Sequence, residues 1–199
     1  MGPAGVAYVE TSGMSQANTP VDLDRYAKIL ARTPGLLRTP LECFPNALLE
    51  APHDAGTWSA RQVMECLIHE EEHVWLSCVR RIIDGGEVLT PEFFDPNFRW
   101  AESRDETPSG LASHFALLRE ANLAKLRSMS MESNGVTRHG RHPALGRVTL
   151  SEVLTTWVMH DLCHLANVCK AIVLPRSQDA GPWQTYLSIL MSPIDRNRW

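Results

Sequence analysis

Apolar side chains recur at helical spacing along most of the chain. Leu23, Tyr26, Ala27 and Leu30 follow the i, i+3, i+4, i+7 rule, which predicts an amphipathic helix beginning near Val21. Three prolines between residues 34 and 45 then divide the stretch as far as residue 49 into short pieces. No run alternates apolar and polar residues for long enough to predict a strand. The pattern therefore favours an all-α protein.

Three longer helices carry recognisable start signals. Two of them begin with a capping box, Ser59 with Gln62 and Thr149 with Glu152, and the third with Thr107 before a proline. The predicted spans are Ser59 to Gly85–Gly86, Thr107 to about Met129 and Thr149 to about Leu174, followed by an amphipathic piece from Trp183 to Leu190. We expect an antiparallel four-helix bundle with short additional helices.

The ends of the chain differ from its middle in composition. Residues 1–19 are rich in Gly, Ala, Ser and Thr and have no sustained period, so we expect a flexible N-terminal tail. A helical-bundle domain is predicted over residues 20–192, and a C-terminal tail over residues 193–199. The N-terminus has neither a basic segment nor a long apolar run, so no signal peptide is expected.

Composition and charge exclude several classes of function. The 199 residues carry 19 Lys and Arg against 23 Asp and Glu, a net charge of −4 that gives no basic excess for nucleic-acid phosphates. No apolar run approaches the ~20 residues of a membrane span. Five cysteines without a Cys-x-x-Cys pair are not typical of a disulfide framework, so we expect reduced thiols in a cytoplasm.

Metal-ligand side chains cluster at helical spacing in two places. His160 and His164 stand four residues apart on the last long helix, and Cys66, His69 and His73 lie along the first. On a helical wheel His160 and His164 flank the apolar face of the last helix. Cys66 flanks that of the first, and His69 and His73 lie a little further out. Because antiparallel neighbours would bring such flanks together, the two helices could build a three-ligand site at the rim of the bundle, with positions left open for water or substrate.

Other interpretations of the same residues stay open. The histidine pair of the last helix also fits half-exposed side chains bonded to carboxylates, and the Glu70–Glu71–Glu72 run fits a solvated face. The stretch from His69 to His73 matches the zincin pattern H-E-x-x-H, in which Glu70 would be the general base. Against it, no third ligand follows at a familiar spacing and no sheet edge is predicted to hold a peptide. Cys163 could also act as a nucleophile beside His160 and His164.

Several short segments together resemble one known family. They are WSARQV (58–63), GRHPALG (140–146), VTL (148–150), TWVMHDLCHL (156–165) and GPW (181–183). These segments resemble the DinB/YfiT-like superfamily, whose members are DinB-like four-helix-bundle metalloenzymes. The resemblance covers roughly residues 21–190.

The resemblance implies a ligand set for Ni²⁺ or Zn²⁺. In that superfamily one histidine of the second bundle helix joins two histidines spaced i, i+4 on the last, and the latter two match His160 and His164. Where the first is expected, eight residues after Trp58, this chain has Cys66. Either Cys66 serves as a thiolate ligand, which suits Zn²⁺, or His69 one turn along replaces it. A third interpretation is a site that has lost its metal.

The resemblance also implies an activity. Characterised members include thiol-S-transferases and isomerases that use low-molecular-weight thiols, so we expect a metal-dependent transferase or hydrolase acting on a small electrophile. Glu72, Asp161 and His73 are candidates for a general base or for groups that support the ligands. The alternative is a non-enzymatic, stress-associated binding protein with a degenerate site. The resemblance is compatible with a homodimer.

Overall fold

The computed structural model describes residues 21–52, 57–84, 105–129, 139–142 and 145–190. The predicted tails, residues 1–19 and 193–199, lie outside these ranges. The described elements are α1 (Leu23–Leu30), α2 (Thr33–Cys43), α3 (Asn46–Glu50), α4 (Ala60–His73), α5 (Trp75–Ile83), α6 (Pro108–Ser128), β1 (His139–His142), β2 (Gly146–Thr149) and α7 (Leu150–Val173), followed by two 3-10 runs (Leu174–Tyr186 and Ser188–Leu190). No described helix combines the length and the apolar character needed to cross a membrane.

The three predicted long helices begin where their capping residues stand. Ser59 Oγ accepts a hydrogen bond from the Gln62 backbone N–H at 3.2 Å, and the Gln62 side chain accepts one from the Ser59 N–H at 2.9 Å. Thr149 and Glu152 form the same reciprocal pair at the start of α7. Thr107 caps α6 through the Gly110 N–H. These hydrogen bonds confirm the capping boxes predicted from the sequence. Each box satisfies backbone N–H groups that the first helical turn leaves without a partner.

Two local predictions need correction. The helix expected to run unbroken from Ser59 to Gly85 is divided at Val74, whose backbone angles are φ −100° and ψ −74°; no glycine or proline there accounts for the break. The prediction that the chain has no strands is also wrong. β1 and β2 pair antiparallel, with His139 opposite Thr149 and His142 opposite Gly146. Strands of four residues are too short for alternation to be visible in the sequence.

Four helical arms form the bundle, and the core shows how they run. One apolar cluster joins the start of the first arm (α1) to α5, the end of α6 and the start of α7. The other joins α2 to α4, the start of α6 and the end of α7. The second arm (α4 and α5) is therefore antiparallel to the last arm (α7) and parallel to α6. The predicted four-helix bundle is confirmed, with an up-down-down-up order rather than antiparallel neighbours throughout.

Candidate metal centre

Side chains of α4 and α7 converge where these antiparallel helices face each other. Cys66 and Glu70 project from successive turns of α4, and His160 and His164 from successive turns of α7. One potential ligand atom from each of Cys66, Glu70 and His164 lies within 4.8 Å of the other two. His160 Nε2 lies 3.0 Å from His164 Nε2 and 3.1 Å from Glu70 Oε2. Cys66, Glu70 and His164 thus meet in one small volume, and His160 contacts two of the three.

Burial sets the charge state of this cluster. His160 and His164 are each only 2% exposed. Burial, reinforced by the neighbouring His160, holds the pKa of His164 well below its usual value, so its imidazole is neutral, which is the form that binds metals. Burial and the charge of Glu70 raise the pKa of the Cys66 thiol, which donates a hydrogen bond to that carboxylate. The histidines lie inside the bundle, not at the rim that the sequence analysis expected.

The donor set fits a divalent cation. Glu70 Oε2 is buried and lies 3.1 Å from His160 Nε2, but it makes no hydrogen bond of good geometry among the described residues. Such an oxygen, held beside two imidazole nitrogens, is an unfavourable arrangement unless a positive charge lies between them. One sulfur, two nitrogens and one oxygen are the ligand types that Zn²⁺ takes in tetrahedral sites.

Tryptophan rings hold the two imidazoles in place. The Trp58 ring lies parallel to that of His164, with centroids 6.2 Å apart and an interplanar angle of 9°. Trp75 meets His160 edge-on at 5.1 Å and stacks on Trp157 at 5.8 Å. Side chains packed in this way lose rotamer freedom before any ligand arrives. The tryptophans therefore orient the nitrogen donors.

His69 and His73 lie on another side of α4. Their rings contact each other at a centroid distance of 4.8 Å, and the side chain of His73 is 63% exposed. Among the described residues, the group with metal-ligand spacing contains Cys66 and not His69. Glu70, the general base of the zincin hypothesis, is instead directed at His160 on α7. The geometry thus favours Cys66 over His69.

The remaining predicted residues have other neighbours. Asp161 is 1% exposed and pairs with Arg119 at 2.5 Å. Glu72 lies 3.7 Å from His73 Nε2 and 3.9 Å from His114 Nε2. The roles suggested for Glu72, Asp161 and His73 as bases or supporting groups stay predictions.

The sequence alone did not predict that Glu70 joins this cluster or that Arg119 is buried. The Glu70–Glu71–Glu72 run is not a solvated face, because Glu71 is 1% exposed and the Glu70 side chain 16%. Glu70 stands four residues after Cys66, and that spacing was the available signal. Arg119 on α6 is also only 1% exposed.

Comparisons with known proteins place these features in context. The family model described as the DinB superfamily matches residues 29–168. YfiT of Bacillus subtilis (strain 168), a protein assigned by name as a metal-dependent hydrolase, is 24% identical over 149 residues, which are 73% of this chain and 81% of YfiT. The solved structure of YfiT, described as having an unusual four-helix-bundle topology, superimposes with a TM-score of 0.61 at 22% identity, covering 77% of this chain and 90% of that one.

Proposed function

The chain belongs to the DinB superfamily, and from that premise we propose that it is a metal-dependent enzyme whose ion is held by Cys66, His160 and His164, with Glu70 as a fourth donor. The observation that carries the proposal is the convergence of these four side chains from two antiparallel helices. A bound divalent cation would supply Lewis acidity and lower the pKa of a coordinated water or thiol. The relationship to YfiT, assigned as a metal-dependent hydrolase, supports the same class.

The donor chemistry favours zinc over nickel. A thiolate, two imidazoles and a carboxylate are ligands that Zn²⁺ accepts in tetrahedral sites. Zn²⁺ has no d-electron preference for another coordination geometry. The Cys66 thiol already donates a hydrogen bond to Glu70, and that carboxylate reaches His160 on the other helix. Glu70 therefore links the donors of α4 to those of α7 before an ion binds.

The substrate we propose is a small electrophile, attacked by water in a hydrolase or by a low-molecular-weight thiol in a thiol-S-transferase. The two histidines are buried, whereas Cys66 and Glu70 are partly exposed, so access is from the side of α4. Trp58 is half-buried and lies against His164, where it would cover one wall of the approach. Such a site suits a small molecule better than a polymer.

Metal analysis of untagged protein tests the proposal. We expect about one zinc per chain by mass spectrometry of the purified protein, and loss of that zinc in the H160A/H164A double variant, because half of the donor set is removed. The H69A/H73A double variant is the matched control, since it removes another i, i+4 histidine pair from an exposed part of α4. Absence of bound zinc and nickel after incubation of the wild type with either ion would refute the proposal.

A non-enzymatic binding protein is the second candidate, and one observation favours it. Cys66 stands where the superfamily pattern has a histidine, and the raised pKa of its thiol keeps the thiol protonated when no cation is bound. This candidate predicts that added zinc leaves the urea unfolding midpoint of the wild type unchanged. Zinc-dependent turnover of an electrophile with water or a thiol would exclude it.

A further inference from the structure

Arg119 lies at the centre of a buried ionic network beside the candidate metal centre. Its Nε and Nη2 donate to the two carboxylate oxygens of Glu71, both at 3.0 Å. Its Nη1 and Nη2 donate to the two oxygens of Asp161, at 2.5 and 2.9 Å. All three side chains are at most 1% exposed. One guanidinium thus hydrogen-bonds to α4 and α7 at the same time.

The network also reaches the first arm of the bundle. Arg119 Nη1 donates to the Leu30 carbonyl oxygen at the end of α1, at 3.1 Å. Thr33 Oγ1, at the start of α2, donates to Asp161 Oδ2 at 2.7 Å. Asn122, one turn after Arg119 on α6, donates to the Glu71 carbonyl oxygen at 2.7 Å. Every arm of the bundle therefore contributes to this one layer.

The place of this layer in the sequence links it to the metal donors. Glu71 directly follows Glu70, and Asp161 directly follows His160. Consecutive residues of a helix point about 100° apart, so the network and the donors face different sides of the same two turns. On each helix a network residue and a metal donor are adjacent in the backbone. Contacts that hold Glu71 and Asp161 in place therefore also set the rotation and the axial register of α4 relative to α7.

We propose that Arg119 is a positioning residue, which sets the spacing between the Cys66–Glu70 pair of α4 and the His160–His164 pair of α7 and so strengthens metal binding. The inference rests on the proposed function and adds how the site is held in shape. Arg119 touches none of the four donors in the contacts described, so it acts through Glu71 and Asp161.

Stabilisation of the fold does not by itself account for a buried ionic network of this kind. One arginine facing two carboxylates leaves an excess of negative charge in the core, and apolar residues of similar volume are often as stable as buried ion groups or more so. Geometry gives a stronger reason. The planar guanidinium offers five donors in fixed directions and can hold two carboxylates bidentately, which an ammonium group cannot do.

The direct test compares zinc affinity in Arg119→Lys with that of the wild type, by competition against a chromophoric chelator. The lysine keeps the charge but loses the fork, so we expect affinity to fall at least about tenfold, as when other supporting groups of metal sites are altered. The visible absorption bands of the Co²⁺-loaded variant, which report ligand geometry, should also shift. Ile82→Ala is the control, because it removes buried volume from α5 two turns beyond Trp75 and should change neither readout.

A triple variant separates positioning from folding. Glu71→Met, Arg119→Met and Asp161→Met together replace the network with apolar side chains and leave no buried charge unpaired. We expect this variant to unfold cooperatively in urea, like the wild type, yet to bind zinc at least about tenfold more weakly.

The outcomes distinguish the two proposals. If the wild type binds zinc and either network variant, once folded, binds it equally well with an unchanged Co²⁺ spectrum, the positioning role is overturned and the proposed function stands. If Ile82→Ala weakens zinc binding as much as Arg119→Lys, the effect is one of general stability and the positioning role is again overturned. If the wild type binds no zinc or nickel, both proposals fail.

Discussion

Removing the guanidinium of Arg119 is expected to be among the most destabilising single changes in the chain. Arg119→Met takes away the five hydrogen bonds described for this side chain and leaves Glu71 and Asp161 facing each other in the core. Breaking a buried ion pair by removing one partner costs about 3–5 kcal/mol. Since a domain is stable by only about 5–15 kcal/mol, this loss takes a large share of the free energy of unfolding.

Protonation gives an independent route to the magnitude. Without the arginine, the variant can relieve the repulsion by placing one proton between the carboxylates. Taking up a proton at pH 7 on a glutamate with the ordinary pKa of 4.5 costs about 3.4 kcal/mol, at 1.36 kcal/mol per unit. The two routes agree. At pH 5 the same step costs about 0.7 kcal/mol. Burial already raises the pKa of Glu71 in the wild type, so the penalty relative to wild type should shrink by at most about 2.7 kcal/mol.

Urea denaturation at pH 7 and pH 5, followed by circular dichroism and tryptophan fluorescence, measures both values. Arg38→Met is the control: Arg38 makes an exposed i, i+4 pair with Glu42, so its loss should leave the urea unfolding midpoint nearly unchanged at either pH. A penalty for Arg119→Met below about 1 kcal/mol, or one that does not shrink at pH 5, would refute the interpretation of a buried network held by one cation.

Three further predictions concern single side chains. Cys66→Ser should lower zinc affinity by more than about 100-fold and abolish the thiolate charge-transfer absorption of the Co²⁺ form, whereas His69→Ala should retain both; the reverse result would move the third ligand to His69. Burial raises the pKa of Cys78 from 9.0 to about 12. As the pH rises, the unfolded chain therefore loses the thiol proton before the folded chain does. The free energy of unfolding should fall by up to about 1.4 kcal/mol per pH unit above pH 9. The Cys78→Ala variant should lack that part of the slope, and equal slopes would contradict the assignment. Ser59→Ala should cost about 1 kcal/mol in urea denaturation, and no cost would mean that the capping box contributes nothing.

The features predictable from the sequence are those that local chemistry decides. Capping boxes act within four residues, so the starts of α4 and α7 could be read from Ser59 and Thr149. The i, i+4 spacing of His160 and His164 likewise places both imidazoles on one face of any helix. The sequence alone does not decide between Cys66 and His69 as the third ligand, because that depends on which side of α4 meets α7.

The features that escaped depend on residues far apart in the chain. Glu70 and Glu71 look like solvent-facing acids until His160 and Arg119, from other helices, are brought beside them. Their burial is favourable only because of those partners. The direction of α6 relative to α4 could not be predicted either, since helix periodicity carries no information on how two helices are connected.

Anomalous X-ray scattering at the zinc and nickel edges, from crystals of the untagged protein, tests the central claim most directly. The account predicts one peak, at about 2.0–2.1 Å from Nε2 of His160 and of His164 and about 2.3 Å from Sγ of Cys66. A peak between His69 and His73, or no peak beside His160 and His164 after soaking with either ion, would contradict it.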